Sequence, residues 1–251
     1  MRLLAFLLMI PFAAAAQPSM KPLGPSILDT GSAIMATDSF TLPGPEDGAA
    51  YEIGILSPRG RAPKGGFPVL FALDGQAVME LLTDDFLGGI SGLPVIVTIG
   101  YDTDRRFAGT ERTRDYTPPS ADGSPVADPR GRPGGGASDF LDLITTQILP
   151  ELKARTDIDM SRSTIWGHSY GGLFTLWASG QEAAPFARYV TASPSLWWEY
   201  GRFFDDVKAG AESWPHRTVD IHHGALERER ASAPDNPNAQ KLVKMRAALP
   251  E

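Results

Sequence analysis

Residues 167–171 read Gly-His-Ser-Tyr-Gly, a G-x-S-x-G pentapeptide. Before it, Ser163 to His168 has the character of a strand. After it, Gly171 to Ser179 is apolar and helical. A serine on a tight strand-to-helix turn projects its hydroxyl from the end of a sheet. Glycines on either side are expected to be required there, because Cβ atoms at 167 and 171 would collide with the neighbouring strand and helix. The chemistry of such a site is nucleophilic: Ser169 attacks an ester carbonyl, an acyl-enzyme forms, and water releases it. The five residues alone recur by chance, and a Gly-rich turn is the competing reading. The strand–turn–helix setting favours the nucleophile.

Attack by a serine needs donors for the developing oxyanion. One is the backbone N–H after the nucleophile, Tyr170, and the other lies in the loop after the third strand, Asp74-Gly75-Gln76, where Gly75 permits close approach. An acid that orients the base is expected after the seventh strand, which makes Glu227 the candidate. The run Glu227-Arg228-Glu229-Arg230 reads equally well as solvated charge. The base should be a histidine after an eighth strand. No histidine follows Glu227, and the four in the chain are His168, His216, His222 and His223. His222 and His223 alternate across a strand end, so their side chains diverge and make no metal pair. No metal and no cofactor are expected.

The elements that must position these groups alternate between strand and helix. The chain has 251 residues, the size of one large α/β domain, and no internal repeat. Strands are expected at Ile34 to Leu42, Tyr51 to Ser57, Pro68 to Leu73, Pro94 to Tyr101, Ser163 to His168, Arg188 to Ala192 and Thr218 to His222. The runs PVLFAL and PVIVTIGY are continuous and apolar, as in strands buried on both faces. Phe140, Leu141, Ile144, Ile148 and Leu152 recur at helical spacing, with Ser138 as N-cap and a kink at Pro150. Residues 102–136 are polar, Pro- and Gly-rich and aperiodic, and read as a long functional loop. A short helix is expected from Gln240 to Leu249. The pattern predicts a mostly parallel sheet with helices on both faces. Serine hydrolases built on this turn place the serine after the fifth strand, and Ser169 follows the fifth strand here.

Composition narrows the partners. Lys plus Arg is 23 against 30 for Asp plus Glu, a net charge of −7, which argues against nucleic acid. Cys is absent, so disulfides, thiolate metal sites and lipoprotein anchors are excluded. Arg2, the apolar run Leu3 to Phe12 and the small residues Ala13 to Ala16 form an export signal with cleavage expected after Ala16. The run is too short to span a bilayer. Residues 17–251 are then the hydrolase domain, periplasmic or secreted, with no membrane anchor and an unspecified oligomeric state.

Several longer stretches carry a resemblance: LDGQ at 73–76, RTRDYTPP at 112–119, residues 134–174 ending in GHSYGGLF, ASPSLWW at 192–198 and GALER at 224–228. Over roughly residues 25 to 230 the chain resembles the esterase D-type family of α/β-hydrolases, and within it exported siderophore esterases that cleave trilactones of the enterobactin type. The resemblance implies an α/β-hydrolase fold, Ser169 as nucleophile and an oxyanion hole at Gly75 and Tyr170. It also implies a site wall from Trp197 and Trp198, and Arg-rich loop residues near an anionic substrate. Arg105, Arg106, Arg112 and Arg114 are candidates to grip a catecholate or carboxylate, with internal pairing to Asp102, Asp104 or Asp115 as the alternative. Family members continue with a further strand, a Gly-His segment and a last helix. The expectation is therefore a C-terminally truncated member lacking that final strand and helix, with Thr218 to His222 left as a sheet edge. The competing functions are a ligand binder without catalysis and a secreted acyltransferase.

Overall fold

The computed structural model describes residues 23–46, 48–210, 213–224 and 237–249. The described strands are β1 (Met35–Leu42), β2 (Tyr51–Pro58), β3 (Phe67–Leu73), β4 (Val95–Tyr101), β5 (Ile158–His168), β6 (Arg188–Ala192) and β7 (Thr218–His222). They form one sheet in the order β1-β2-β4-β3-β5-β6-β7. β1 and β2 form an antiparallel hairpin, and β2 runs antiparallel to β4. The pairs from β4 through β3, β5 and β6 to β7 are all parallel. This is the mostly parallel sheet that the strand–helix alternation predicts. All seven expected strands are present, most within a residue or two.

The helices are α1 (Ile27–Thr30), α2 (Gly75–Met79), α3 (Asp84–Gly88), α4 (Gly109–Tyr116), α5 (Ala137–Leu143), α6 (Leu149–Arg155), α7 (Tyr170–Ser179), α8 (Arg202–Gly210) and α9 (Pro237–Ala247). Every residue of β4 is buried, which explains its unbroken apolar run. The five helical-spaced residues Phe140, Leu141, Ile144, Ile148 and Leu152 are all buried too. Phe140 meets Phe174 of α7 edge-on at 5.0 Å between ring centres, and Tyr116 of α4 at 5.4 Å. Such aromatic contacts add about 0.5–1.5 kcal/mol each beyond burial. They fasten α4, α5 and α7 to one face of the sheet beside the serine.

Four details differ from expectation. The segment 102–136 holds α4, whose polar sequence conceals it because charged residues, Arg112 and Asp115, fill buried positions by ion pairing where an apolar side chain would be expected. The helix that carries Phe140 is capped at Gly136 and starts at Ala137, so Ser138 lies inside its first turn. Pro150 falls in the first turn of α6, directly after a π-helical turn over Ile144–Ile148. The register change spares Pro150 an N–H it lacks, so proline opens a new helical segment here. β5 begins five residues early, because Ile158 pairs with Phe67 before a register shift. Among the described strands β7 is an edge, with Ile221 64% exposed.

Candidate active site

Ser169 stands between the end of β5 and the start of α7, at φ 57° and ψ −113°. A non-glycine residue in that conformation costs about 1–3 kcal/mol and persists only when its neighbours enforce it. Three backbone bonds do so: Ser169 N–H donates to the Ala192 carbonyl (3.0 Å), and the Ser169 carbonyl accepts from Leu173 (2.9 Å) and Ser195 (3.0 Å). The space is set by glycine. A Cβ on Gly167 would lie 2.2 Å from the Gly171 carbonyl oxygen, and one on Gly172 would lie 2.7 Å from Thr191 Oγ1. At Gly171 the nearest atom would be Leu73 Cβ at 3.4 Å, an ordinary contact. The steric requirement expected at 167 and 171 therefore falls on 167 and 172.

The two expected backbone donors share one feature. Tyr170 is the first residue of α7 and Gly75 the first of α2, so neither N–H has an acceptor within its own helix. Gly75 is buried against the β4 backbone, where a Cβ would come within 2.9 Å of Gly100 N. It lines a cavity with Glu52, Gln76 and Thr103, whereas Ser169 opens into a neighbouring cavity with His168 and Thr103–Arg112. Asp74, at φ 57°, starts the Gly75 turn, and its N–H donates to the Tyr116 hydroxyl (3.1 Å).

Arg112 ties these two turns together. Its Nε and Nη2 donate to the two Asp74 carboxylate oxygens at 2.7 and 2.8 Å, and Nη2 lies 3.5 Å from the His168 carbonyl oxygen. The guanidinium sits over the rings of Tyr170, Phe107 and Tyr116 at 5.3–5.7 Å. Burial opposes its charge, and the Asp74 carboxylate more than compensates, so its pKa is raised. The fork that could grip a substrate carboxylate is thus occupied by Asp74. Arg114 is likewise committed, donating to Asp115 (2.6 and 2.9 Å) and to the Tyr51 hydroxyl (3.2 Å). Arg106 pairs with Glu80. Arg105 and Arg130 are exposed on the wall of the Ser169 cavity.

Trp198 is 2% exposed and packs edge-on against Tyr170 at 5.9 Å, in the core beneath the elbow instead of on the cavity wall. Trp197 is half-buried, 5.6 Å from the same ring. His216, His222 and His223 are exposed near and along β7. Glu227 lies outside the described residues, as do residues 1–22. Among the described residues no group of three His, Cys, Asp or Glu is placed to hold a metal, and no helix is long and apolar enough to cross a membrane.

Sequence reasoning missed three residues. Ser195 is buried with its Oγ 3.1 Å from Ser169 Oγ. From sequence Asp74 reads only as part of a turn. Asp128 receives Arg132 at 2.8 and 2.6 Å and the N–H groups of Arg130 and Arg132 at 2.8 and 2.9 Å, with the Tyr170 hydroxyl at 3.4 Å. The D-P-R-G-R spacing at 128–132 is the one signal that could have exposed it.

The Esterase family ("Putative esterase") matches residues 47–251. The apo-salmochelin esterase of Escherichia coli O6:H1 is 38% identical over 228 residues, covering 88% of this chain and 69% of that protein. The ferri-bacillibactin esterase BesA of Bacillus subtilis is 34% identical over 182 residues, and the match spans 62% of that protein's length. The solved enterobactin hydrolase IroE, in complex with DFP, superposes with a TM-score of 0.67 at 30% identity, covering 89% of this chain and 87% of that one. The sheet order, the strained serine after the fifth strand and these matches agree on an α/β-hydrolase fold, and the chain belongs to the Esterase family.

Proposed function

We propose that this protein is a serine hydrolase of siderophore esters, acting through an acyl-enzyme at Ser169. The observation that carries the reading is the strained Ser169 at the mouth of a cavity, φ 57°, after the fifth strand and before a helix. Backbone N–H groups of Tyr170 and Gly75 are the proposed oxyanion donors, each of the kind that contributes a few kcal/mol to such reactions. Arg105 and Arg130 stand where an anionic substrate would approach. Arg112 serves the site by holding the Asp74 turn beside the elbow. The siderophore assignment rests on relatives whose names carry salmochelin and bacillibactin. Residues 1–16 are proposed as an export signal, supported by the run Leu3 to Phe12 and the alanines that follow.

The test is turnover of a p-nitrophenyl ester and of a catecholate trilactone by the purified protein. Ser169→Ala should lower both by at least about a thousandfold while the protein still unfolds cooperatively. Equal rates in variant and wild type overturn the nucleophile. Turnover of the simple ester without the trilactone overturns the substrate class alone. If the protein turns over either ester, alanine substitution at His216, His222 and His223 tests each of them as the base.

A further inference from the structure

Ser195 lies in the connection that leaves β6, and it is 3% exposed. Its Oγ is 3.1 Å from Ser169 Oγ. Its N–H donates to the Ser169 carbonyl at 3.0 Å, and its own carbonyl accepts from Trp198 N–H at 3.1 Å. Two residues earlier Ser193 is at φ 46°, and its N–H donates to the His222 carbonyl of β7 at 2.8 Å. The segment is therefore held to the elbow on one side and to the last described strand on the other. Its backbone has little freedom to carry the Ser195 hydroxyl away.

Two hydroxyls at this distance share one hydrogen bond, and each can donate or accept. A serine side chain has up to three staggered rotamers, and the backbone conformation narrows that choice without tying the hydroxyl to a partner. At Ser169 the partner on Oγ selects one. We propose that Ser195 is a positioning residue that fixes the rotamer of the Ser169 hydroxyl. The proposal rests on the reading of Ser169 as nucleophile, and it adds a role for the second serine of the ASPS stretch, which that reading leaves unused. In this role Ser195 keeps its proton and forms no covalent bond. It reduces the share of Ser169 side chains that point away from the cavity.

The experiment compares wild type, Ser195→Ala and Ser195→Cys by two readouts. The first is the rate and stoichiometry of labelling by a fluorophosphonate probe, with Ser169→Ala as the unlabelled control. Ser195→Ala should still take up one label per chain, about tenfold more slowly, the size expected for one hydrogen bond at a reacting oxygen. Ser195→Cys, close in volume and a weaker donor, should fall between, and it serves if the alanine variant does not fold. The second readout is the Ser169 side chain in crystals of each variant. It should occupy one rotamer in wild type and at least two in Ser195→Ala. An unchanged labelling rate together with one unchanged rotamer overturns the proposal. If wild type takes no label, Ser169 is not activated in this chain, which counts against the proposed hydrolysis and not against Ser195, and the rotamer comparison alone decides the role of Ser195.

Discussion

The turn around Ser169 and the connection over residues 102–136 border one cavity, and they are built by opposite means. The turn is shaped by excluded volume: Gly167 and Gly172 leave no room for a Cβ, and the backbone bonds of Ser169 close around it. The connection is shaped by charge. Three carboxylates that are at most 6% exposed, Asp74, Asp115 and Asp128, each receive an arginine from it. A shape-built element should fail when volume is added. A charge-built element should fail when one partner is removed or neutralised.

The largest effect should come from Gly167→Ala. Its Cβ meets backbone, the Gly171 carbonyl, so no side chain can swing aside. Overpacking costs roughly 1–3 kcal/mol and occasionally more, and a clash of 2.2 Å with backbone belongs at the top of that range. Urea unfolding should show that loss, and labelling of Ser169 should vanish with it. A loss under about 1 kcal/mol would mean that the elbow relaxes and is not shaped by volume.

Next in size is Arg112→Met. The substitution keeps apolar bulk among Phe107, Tyr116 and Tyr170 but strands the Asp74 carboxylate in the interior. Removing one partner of a buried pair costs about 3 kcal/mol. The double variant Asp74→Asn with Arg112→Met should recover part of that loss, because the stranded charge is gone. If the double variant is as unstable as the two single losses added together, the pair is not coupled, and Arg112 matters through packing alone.

Acid should act on the connection before the turn. Burial opposes the Asp128 charge, but Arg132 and the two backbone N–H groups outweigh it and hold the carboxyl below its usual pKa. A carboxyl depressed in the folded state gives stability that is complete above the ordinary Asp value of about 3.9. That stability is lost as pH falls through the lower folded value. Asp128→Asn should therefore cost roughly 2 kcal/mol at neutral pH, and the gap to wild type should close as pH drops below about 4. A gap independent of pH would show that the charge of Asp128 contributes nothing.

The same contrast explains what could be read from sequence. The strands and the elbow were legible because their signals are local: PVLFAL, PVIVTIGY and GHSYG each specify one short piece of backbone. The helix α4 was not. Its sequence GTERTRDY has no apolar stripe, since Arg112 and Asp115 bury themselves by pairing, and Asp74, the partner of Arg112, lies 38 positions away. Arg112 and Arg114 read as substrate ligands for the same reason. An arginine bound to an internal carboxylate and one awaiting an external carboxylate look identical in a string of letters. Ser195 escaped notice because a serine in a turn has no distinguishing signal until Ser169 Oγ is found 3.1 Å away.

The smallest effect should be at the glycine that completes the pentapeptide. Sequence reasoning made Gly171 as necessary as Gly167. In the structure a Cβ at 171 would touch Leu73 Cβ at 3.4 Å, Leu73 Cδ1 at 3.5 Å and Asp74 Oδ2 at 3.8 Å, all ordinary contacts. Gly171 lies in α7, and its φ is not in the left-handed region that favours glycine. Replacing an unstrained helical glycine by alanine stabilises by up to about 1 kcal/mol, because the unfolded chain loses freedom. Gly171→Ala should thus leave the melting temperature level or slightly raised, with labelling of Ser169 intact. Gly172→Ala, one position on, should destabilise, since its Cβ meets Thr191 Oγ1 at 2.7 Å and the Ala192 carbonyl at 3.0 Å. If instead Gly171→Ala is the damaging variant and Gly172→Ala the mild one, the volume account of the elbow is wrong. The last glycine of the motif would then be required for the approach of substrate to the Tyr170 N–H.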